Sequence, residues 1–229
     1  MPGHGNGLFG PLRRGMKLPS SPPAKSLAAR DIRCAHHGAM TDHFAILDQP
    51  RRPWLDAAAL KDAFHQHSTA LHPDVPGTGD TAQFVALSGA YSVLREPVSR
   101  LRHLLELCAP SALAGTSSPP PELSDLFMQI AGARHRLSAL LTRRNAATSP
   151  LTRALLAGEE TALRHELHAA LAQLESAEAH ALAEVRILDA TWRETDAEAV
   201  RALALHFHHL AYLARWLAQT REALFTLGG

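Results

Sequence analysis

The stretch LHPDVPG, residues 71–77, holds the side chains that come nearest to a catalytic set. His72 and Asp74 supply an imidazole and a carboxylate two residues apart, the types that form a general acid–base pair. Pro73 between them restricts the backbone and points the two side chains apart, and no Ser or Cys nucleophile stands near. No Gly-rich phosphate loop and no metal-binding motif occurs along the chain. Catalysis is therefore not expected, and the chain is not read as an enzyme. Taken alone, the tripeptide is equally a plain turn between two helices.

Two other groups could bind rather than react. His206, His208 and His209 cluster near the C-terminus, with His206 and His209 on one helical face. Their spacings of one to three residues are poor for a closed zinc site. Cys34 lies near His36 and His37, and the second of the two cysteines, Cys108, is far away in sequence. Too few thiols are present for a disulfide framework or a four-thiolate site, so neither a metal nor a cofactor is expected.

The elements that must position LHPDVPG read as helices. Alanine and leucine dominate and β-branched residues are scarce, which favours helix over sheet. Phe44 and Leu47 fit one face of a short helix. Asp56 is a plausible N-cap for a second, with Leu60, Phe64 and Leu71 inward and Lys61, His65, Gln66 and Thr69 outward. That helix must stop near His72, because Pro73 disfavours helical geometry in the preceding residue. Asp80 and Gln83 suggest a capping box that restarts a helix. Phe84, Leu87, Tyr91, Leu94, Val98, Leu101 and Leu105 then form a clean helical stripe, divided by Pro97.

Residues 109–121 read as a linker, stiffened by Pro120 and Pro121. Three helices are expected beyond it: from about Glu122 to Arg144; from Ser149 and Pro150 to about Ala190, with a kink or break at Gly158; and after a capping box of Thr195 and Glu198. Val200, Leu203, Phe207, Leu210, Leu217 and Leu224 share one face of the last. Two long helices with a short connection must lie antiparallel, and the third completes a small bundle. The whole chain is expected to be all-α.

Other classes are weakened by composition. Of 229 residues, 46% are hydrophobic and 20% charged, so a core can form, and a net charge of +1 gives no drive toward nucleic acid. No apolar run approaches the roughly 18 residues of a membrane span. Residues 1–40 are rich in Gly, Pro and Ser, without an apolar period; Arg13, Arg14, Lys17, Lys25, Arg30 and Arg33 face a single acid, Asp31. They read as a disordered tail, or sequence upstream of a start at Met40, or a transit peptide.

The tripeptide between two amphipathic helices, preceded by a short helix and followed by GAYSVLREP with Tyr91 and Leu94, resembles a J-domain over residues 41 to about 96, which places that domain at 41–108. Such modules stimulate the ATPase of 70-kDa heat-shock-class chaperones. The resemblance implies that the loop docks on the chaperone, with Asp74 accepting a bidentate contact from an arginine there and His72 and Pro73 holding the loop's shape. Lys61 and His65 would join that docking face. Two departures stand out: the family's usual basic residue after the tripeptide is Val75, and its strongly basic second helix retains little beyond Lys61, with Arg51 and Arg52 upstream and His65 and His67 alongside.

The apolar continuation VSRLRHLLEL and the helical region at 122–226 narrow the resemblance. With DHFAIL, WLD and HPD in order, the chain is similar to the HscB family, co-chaperones of iron–sulfur cluster assembly. That implies two partners, a chaperone of the HscA/DnaK type and a cluster scaffold of the IscU type. The scaffold would be gripped by Phe127, Met128 and Ala131, with an aromatic position falling near His209. The family's acidic positions fall on Gly132 and His135, and core packing is the alternative reading of Phe127 and Met128. No nucleic acid, membrane or chain-bound iron–sulfur cluster is implied. The compartment would be the bacterial cytoplasm, or the mitochondrial matrix if residues 1–40 are a transit peptide. A different client, or an adaptor without ATPase stimulation, are the rival readings.

Overall fold

The structure, a computed structural model, describes residues 40–70, 81–114 and 120–228. The expectations for residues 1–39 and for His72, Pro73 and Asp74 lie outside these residues. Among the described residues seven α-helices form and there is no strand.

Helix α1 (His43–Ile46) is a single turn fixed at both ends. Asp42 accepts hydrogen bonds from the backbone N–H groups of Phe44 and Ala45 at 3.0 and 3.2 Å. At the other end, Gln49 N–H reaches Phe44 C=O at 2.9 Å and Asp48 N–H reaches Ala45 C=O at 3.3 Å. This double closure needs a left-handed residue, and Asp48 supplies it with φ 50°. Phe44 and Leu47 are fully buried, as their spacing predicts.

Helix α2 (Ala57–Ala70) starts where Asp56 was expected to cap it, with the carboxylate 2.8 Å from Ala59 N. Helix α3 (Thr81–Arg95) and helix α4 (Pro97–Cys108) divide at Glu96, because Pro97 can begin a helix but cannot continue one. The stripe from Phe84 to Leu105 runs across both, and its buried members are Leu87, Leu94, Leu101 and Leu105.

The expected linker is in part structured. Residues Pro110–Ala114 form a 3-10 turn that half-buries Ala112 and Leu113, and Ala112 C=O accepts from the His208 ring Nε2 at 3.2 Å. The apolar residues in PSALA give this turn a face to bury, which its Pro and Ser composition concealed.

Helices α5 (Ser124–Ala146), α6 (Pro150–Thr191) and α7 (Ala197–Gly228) form the bundle. Helix α6 runs antiparallel to α7: its Arg164, Glu175 and Glu184 meet Leu227, Arg221 and His206 in reverse order. Helices α5 and α7 run parallel, with Phe127 against Tyr212 and Arg134 against Gln219. Two expectations fail here. Helix α6 is unbroken at Gly158, and α7 is capped by Asp196, not Thr195, through bonds from Glu198 N (2.8 Å) and Ala199 N (3.3 Å). One apolar core continues from Phe44 and Leu105 into Leu174, Val185 and Leu217, and a second, around Leu140, Leu156 and Leu227, fills the far end of the bundle. Among the described residues no helix is long and apolar enough to cross a membrane.

Candidate functional site

Helices α2 and α3 pack against each other, and in sequence they flank the segment containing His72, Pro73 and Asp74. Leu60 is buried beneath α2, and the rings of Phe64 and Tyr91 stack across the hairpin with centroids 4.5 Å apart. With the inner face committed to α3, the opposite face of α2 is solvent-facing: Ala58, Lys61, Asp62, His65, Gln66 and Thr69 are all exposed. Lys61 and His65 thus share one accessible face, as their spacing predicts. His67 is half-buried and turned the other way, with Nε2 3.4 Å from an Asp48 carboxylate oxygen.

Arg51 and Arg52 do not extend that face. Arg51 donates through Nε and Nη2 to one Asp42 oxygen at 3.0 and 2.7 Å, and its Nη1 lies 3.5 Å from Glu194. The bond to Asp42 raises the Arg51 pKa further above its ordinary value. Arg52 reaches the last turn of α6: Nη2 is 2.8 Å from Asp189 Oδ2 and 2.7 Å from the Asp189 carbonyl, and Nε is 3.2 Å from Oδ1. Asp189 Oδ1 also accepts from Trp54 N–H at 3.1 Å, while the Trp192 indole donates to Arg51 C=O at 3.0 Å. The Arg186 guanidinium lies 5.6 Å from the centre of the Trp54 ring. Residues 51–54, which lead directly into α2, are thereby clamped to the end of α6.

From the other side, the clamp rests on Arg100 of α4. Its side chain is almost fully buried and donates to Pro53 C=O at 2.9 Å and Leu94 C=O at 2.8 Å. Burial pulls its pKa down to about 10, partly offset by the fields of Asp189 and Glu96, so the group stays charged at neutral pH. A buried imidazole completes the elbow. His103 is 3% exposed, and its Nε2 accepts the backbone N–H of His43 at 3.0 Å. The ring proton then belongs on Nδ1, which faces Glu106 Oε2 at 3.6 Å. Burial lowers the pKa of His103, and burial together with His103 lowers that of His43.

The bundle residues expected to grip a second protein differ in exposure. Phe127 is buried, edge-on to Tyr212 at 4.8 Å and stacked on Trp216 at 5.0 Å. For Phe127 this favours the alternative reading of core packing, in which it joins α5 to α7. Met128 is 74% exposed and Ala131 is exposed one turn later, so these two remain accessible. Gly132 and His135 extend the same face without an acid. His209 is half-buried on α7, and its Nε2 has no hydrogen-bond partner.

Asp189, Trp192 and Arg100 were not singled out by sequence reasoning. The clamp joins positions 135–141 residues apart, and no periodicity links them. The one available cue is Arg100 itself, a charge that follows the inward stripe at Val98 by two positions.

The architecture is that of a helical hairpin docked through an elbow onto a three-helix bundle. No family model matches the chain. It is 31% identical over 84 residues to a co-chaperone protein HscB homolog from Azoarcus sp. (strain BH72), covering 34% of this chain and 48% of that protein. It is 36% identical over 72 residues to another from Burkholderia vietnamiensis (strain G4 / LMG 22486), covering 28% and 41%. The chain thus spans about half or less of the length of these curated relatives. In fold it is similar to the chaperone HscB from Vibrio cholerae, with a TM-score of 0.51 and 19% identity over 81% of this chain and 99% of that one. The chain is thus similar to HscB homologues over a shared sequence segment, and to the chaperone HscB from Vibrio cholerae in fold.

Proposed function

We propose that this chain is a J-domain co-chaperone of iron–sulfur cluster assembly, which stimulates ATP hydrolysis by a 70-kDa heat-shock-class chaperone of the HscA/DnaK type. The observation that carries the reading is the hairpin: α2 and α3, locked by the Phe64–Tyr91 stack, bracket His72-Pro73-Asp74 and leave one face of α2 open. Similarity to proteins named HscB supports it. Docking of Asp74 and the α2 face would favour the chaperone's hydrolysis-competent arrangement, so the chain accelerates a reaction whose chemistry belongs to its partner. In single-turnover assays, alanine at His72, Pro73 and Asp74 abolishes stimulation while helicity is unchanged. Full stimulation by the triple variant would refute the reading.

On the client side, the bundle would present Met128 and Ala131 to a cluster scaffold of the IscU type, with His209 on the neighbouring helix. Gly132 and His135, which stand at the family's acidic positions, favour a second reading, in which the co-chaperone carries a different client. Pull-down with a purified IscU-type scaffold distinguishes the two. Retention that is lost on Met128→Asp supports the scaffold; no retention supports another client.

A further inference from the structure

We infer that the elbow is an acid-operated latch: His103, with its ring unprotonated, holds helix α1 against α4, and a proton on that ring releases α1 and the residues leading into α2 while the bundle stays folded. The inference concerns the elbow alone and does not depend on the co-chaperone reading.

The buried His103 ring accepts the His43 N–H on Nε2 at 3.0 Å. That N–H opens helix α1, so no carbonyl within the helix can take the place of the ring. The acceptor exists only while Nε2 carries no proton; protonation sets two donors face to face. The surroundings offer no relief. The His43 ring lies 4.5 Å from the His103 ring, centroid to centroid, and its Nδ1 is buried with no hydrogen-bond partner among the described residues. Phe44, fully buried, is stacked on His103 at 5.7 Å. Displacement of α1 is carried onward by its cap. Asp42 holds Arg51 through two bonds, Arg51 Nη1 lies 3.5 Å from Glu194, and Arg51 C=O accepts from the Trp192 indole at 3.0 Å. When α1 leaves α4, this chain of contacts moves with it and residues 51–54 lose their seat. The core around Leu140, Leu156 and Leu227 contains none of these groups.

The charges around the ring set the direction of the switch. Burial is the largest influence and holds His103 below the ordinary 6.5; the carboxylates of Glu106 and Asp42 act against it, and Arg51 acts with it. Glu106, 3.6 Å from Nδ1, is shared with Arg102 at 3.3 Å. Charges on the other elements packed against α4 are engaged elsewhere. Arg95 of α3 faces Glu96; on α7, Arg201 faces Glu198, His206 faces Glu184 with His209 acting on it, and His208 faces Ala112 C=O. The 3-10 turn at Pro110–Ala114 carries no charge. The latch is therefore closed at pH 7.5 and opens as pH falls through the depressed value.

The test reads the direction of α2 against the bundle in the full-length chain. Spin labels at Thr69→Cys and Ser138→Cys, both exposed, report the distance from α2 to α5 once Cys34→Ser and Cys108→Ser remove the native thiols. At pH 7.5 the distance distribution should be narrow; by pH 5 it should broaden about twofold, and narrow again on return, with far-UV helicity retained throughout. His103→Gln still offers an acceptor but does not titrate, so its distribution should stay narrow at both pH values. Equal broadening in this variant, no broadening in its parent, or broadening that comes only with loss of helicity would overturn the inference. If glutamine fails to hold the elbow even at pH 7.5, His43→Ala decides. It keeps the backbone N–H and relieves the burial of His103, so broadening must begin at a higher pH than in the parent; an unmoved midpoint overturns the inference.

Discussion

The elbow and the bundle are both helical, but different forces hold them. In the bundle, leucines repeat along three helices, from Leu126 to Leu140, Leu156 to Leu174 and Leu203 to Leu227, and the polar links are peripheral. Arg136–Glu166, Arg143–Glu159 and Arg221–Glu175 span neighbouring helices at exposed positions, where an ion pair contributes little. In the elbow, directional bonds converge on a few buried or half-buried groups: Arg100, Asp189, Trp192 and His103. An apolar stripe tolerates small shifts along its axis, whereas a guanidinium bonded to two specified carbonyls does not. The bundle therefore supplies stability, and the elbow fixes the direction in which α2 leaves it.

The largest expected effect tests that contrast directly. Arg100→Met keeps the length and removes the two donors, leaving Pro53 C=O and Leu94 C=O buried without partners. Each lost bond from a charged donor is worth about 1.5–3 kcal/mol, and relief of the guanidinium's desolvation offsets part of it. A net loss of about 2–4 kcal/mol is expected in chemical denaturation. A loss below about 1 kcal/mol would mean that apolar packing alone holds the elbow.

Asp189→Ala comes next. It orphans Trp54 N–H and leaves the Arg52 side chain, which is 44% exposed, with only its bond to the backbone carbonyl of residue 189. After discounting for that exposure, a loss of about 1–2 kcal/mol is expected. Its location is the sharper readout: amide exchange should accelerate at residues 51–60 and stay unchanged around Leu140 and Leu156 at the far end of the bundle. Uniform acceleration would show that the two regions unfold as one unit.

The division between the regions also marks what could be read from the sequence. Stripes and caps were legible: the inward positions of α3 and α4, the break at Pro97, Asp56, and Ser149 with Pro150. They depend on neighbours within a few residues. Asp196 was missed in favour of Thr195 because both types cap helices and only the geometry decides which carbonyl turns first. The elbow was not legible, since Arg52 and Asp189 look like ordinary surface charges until folding brings them together. Phe127 was ambiguous for a related reason: on α5 an inward and an outward apolar residue differ by one position, as Phe127 and Met128 do.

Acid should separate the regions again. Burial holds His103 and His43 below the ordinary histidine value of 6.5, and it does the same to His206. A depressed value means that the unfolded chain binds more protons in this range, so stability is greatest above it and declines as pH falls through it. Protonation of His103 also removes the acceptor for His43 N–H. His103→Gln retains an acceptor without a titrating ring. Its denaturation midpoint should fall less between pH 7.5 and 5 than that of wild type, with a residual slope from His43 and His206. Equal slopes would show that His103 is not the elbow's acid-sensitive group.

The smallest effect lies on the bundle side and has the opposite sign. Gly158 was expected to interrupt α6, yet the helix continues through it. A glycine inside a helix costs about 1 kcal/mol relative to alanine, mainly because its unfolded backbone is freer. Here that cost is carried by packing on both sides, through Leu156 and Leu163. A Cβ at Gly158 would meet nothing within 4 Å, and the position is exposed, so Gly158→Ala introduces no clash. It should stabilise the chain by about 0.5–1 kcal/mol and slow amide exchange in the first turns of α6. The elbow amides at residues 51–54 should not respond, since no directional bond has changed. Destabilisation instead would show that α6 needs the glycine's freedom at this point, and that the bundle, like the elbow, depends on a specific local geometry.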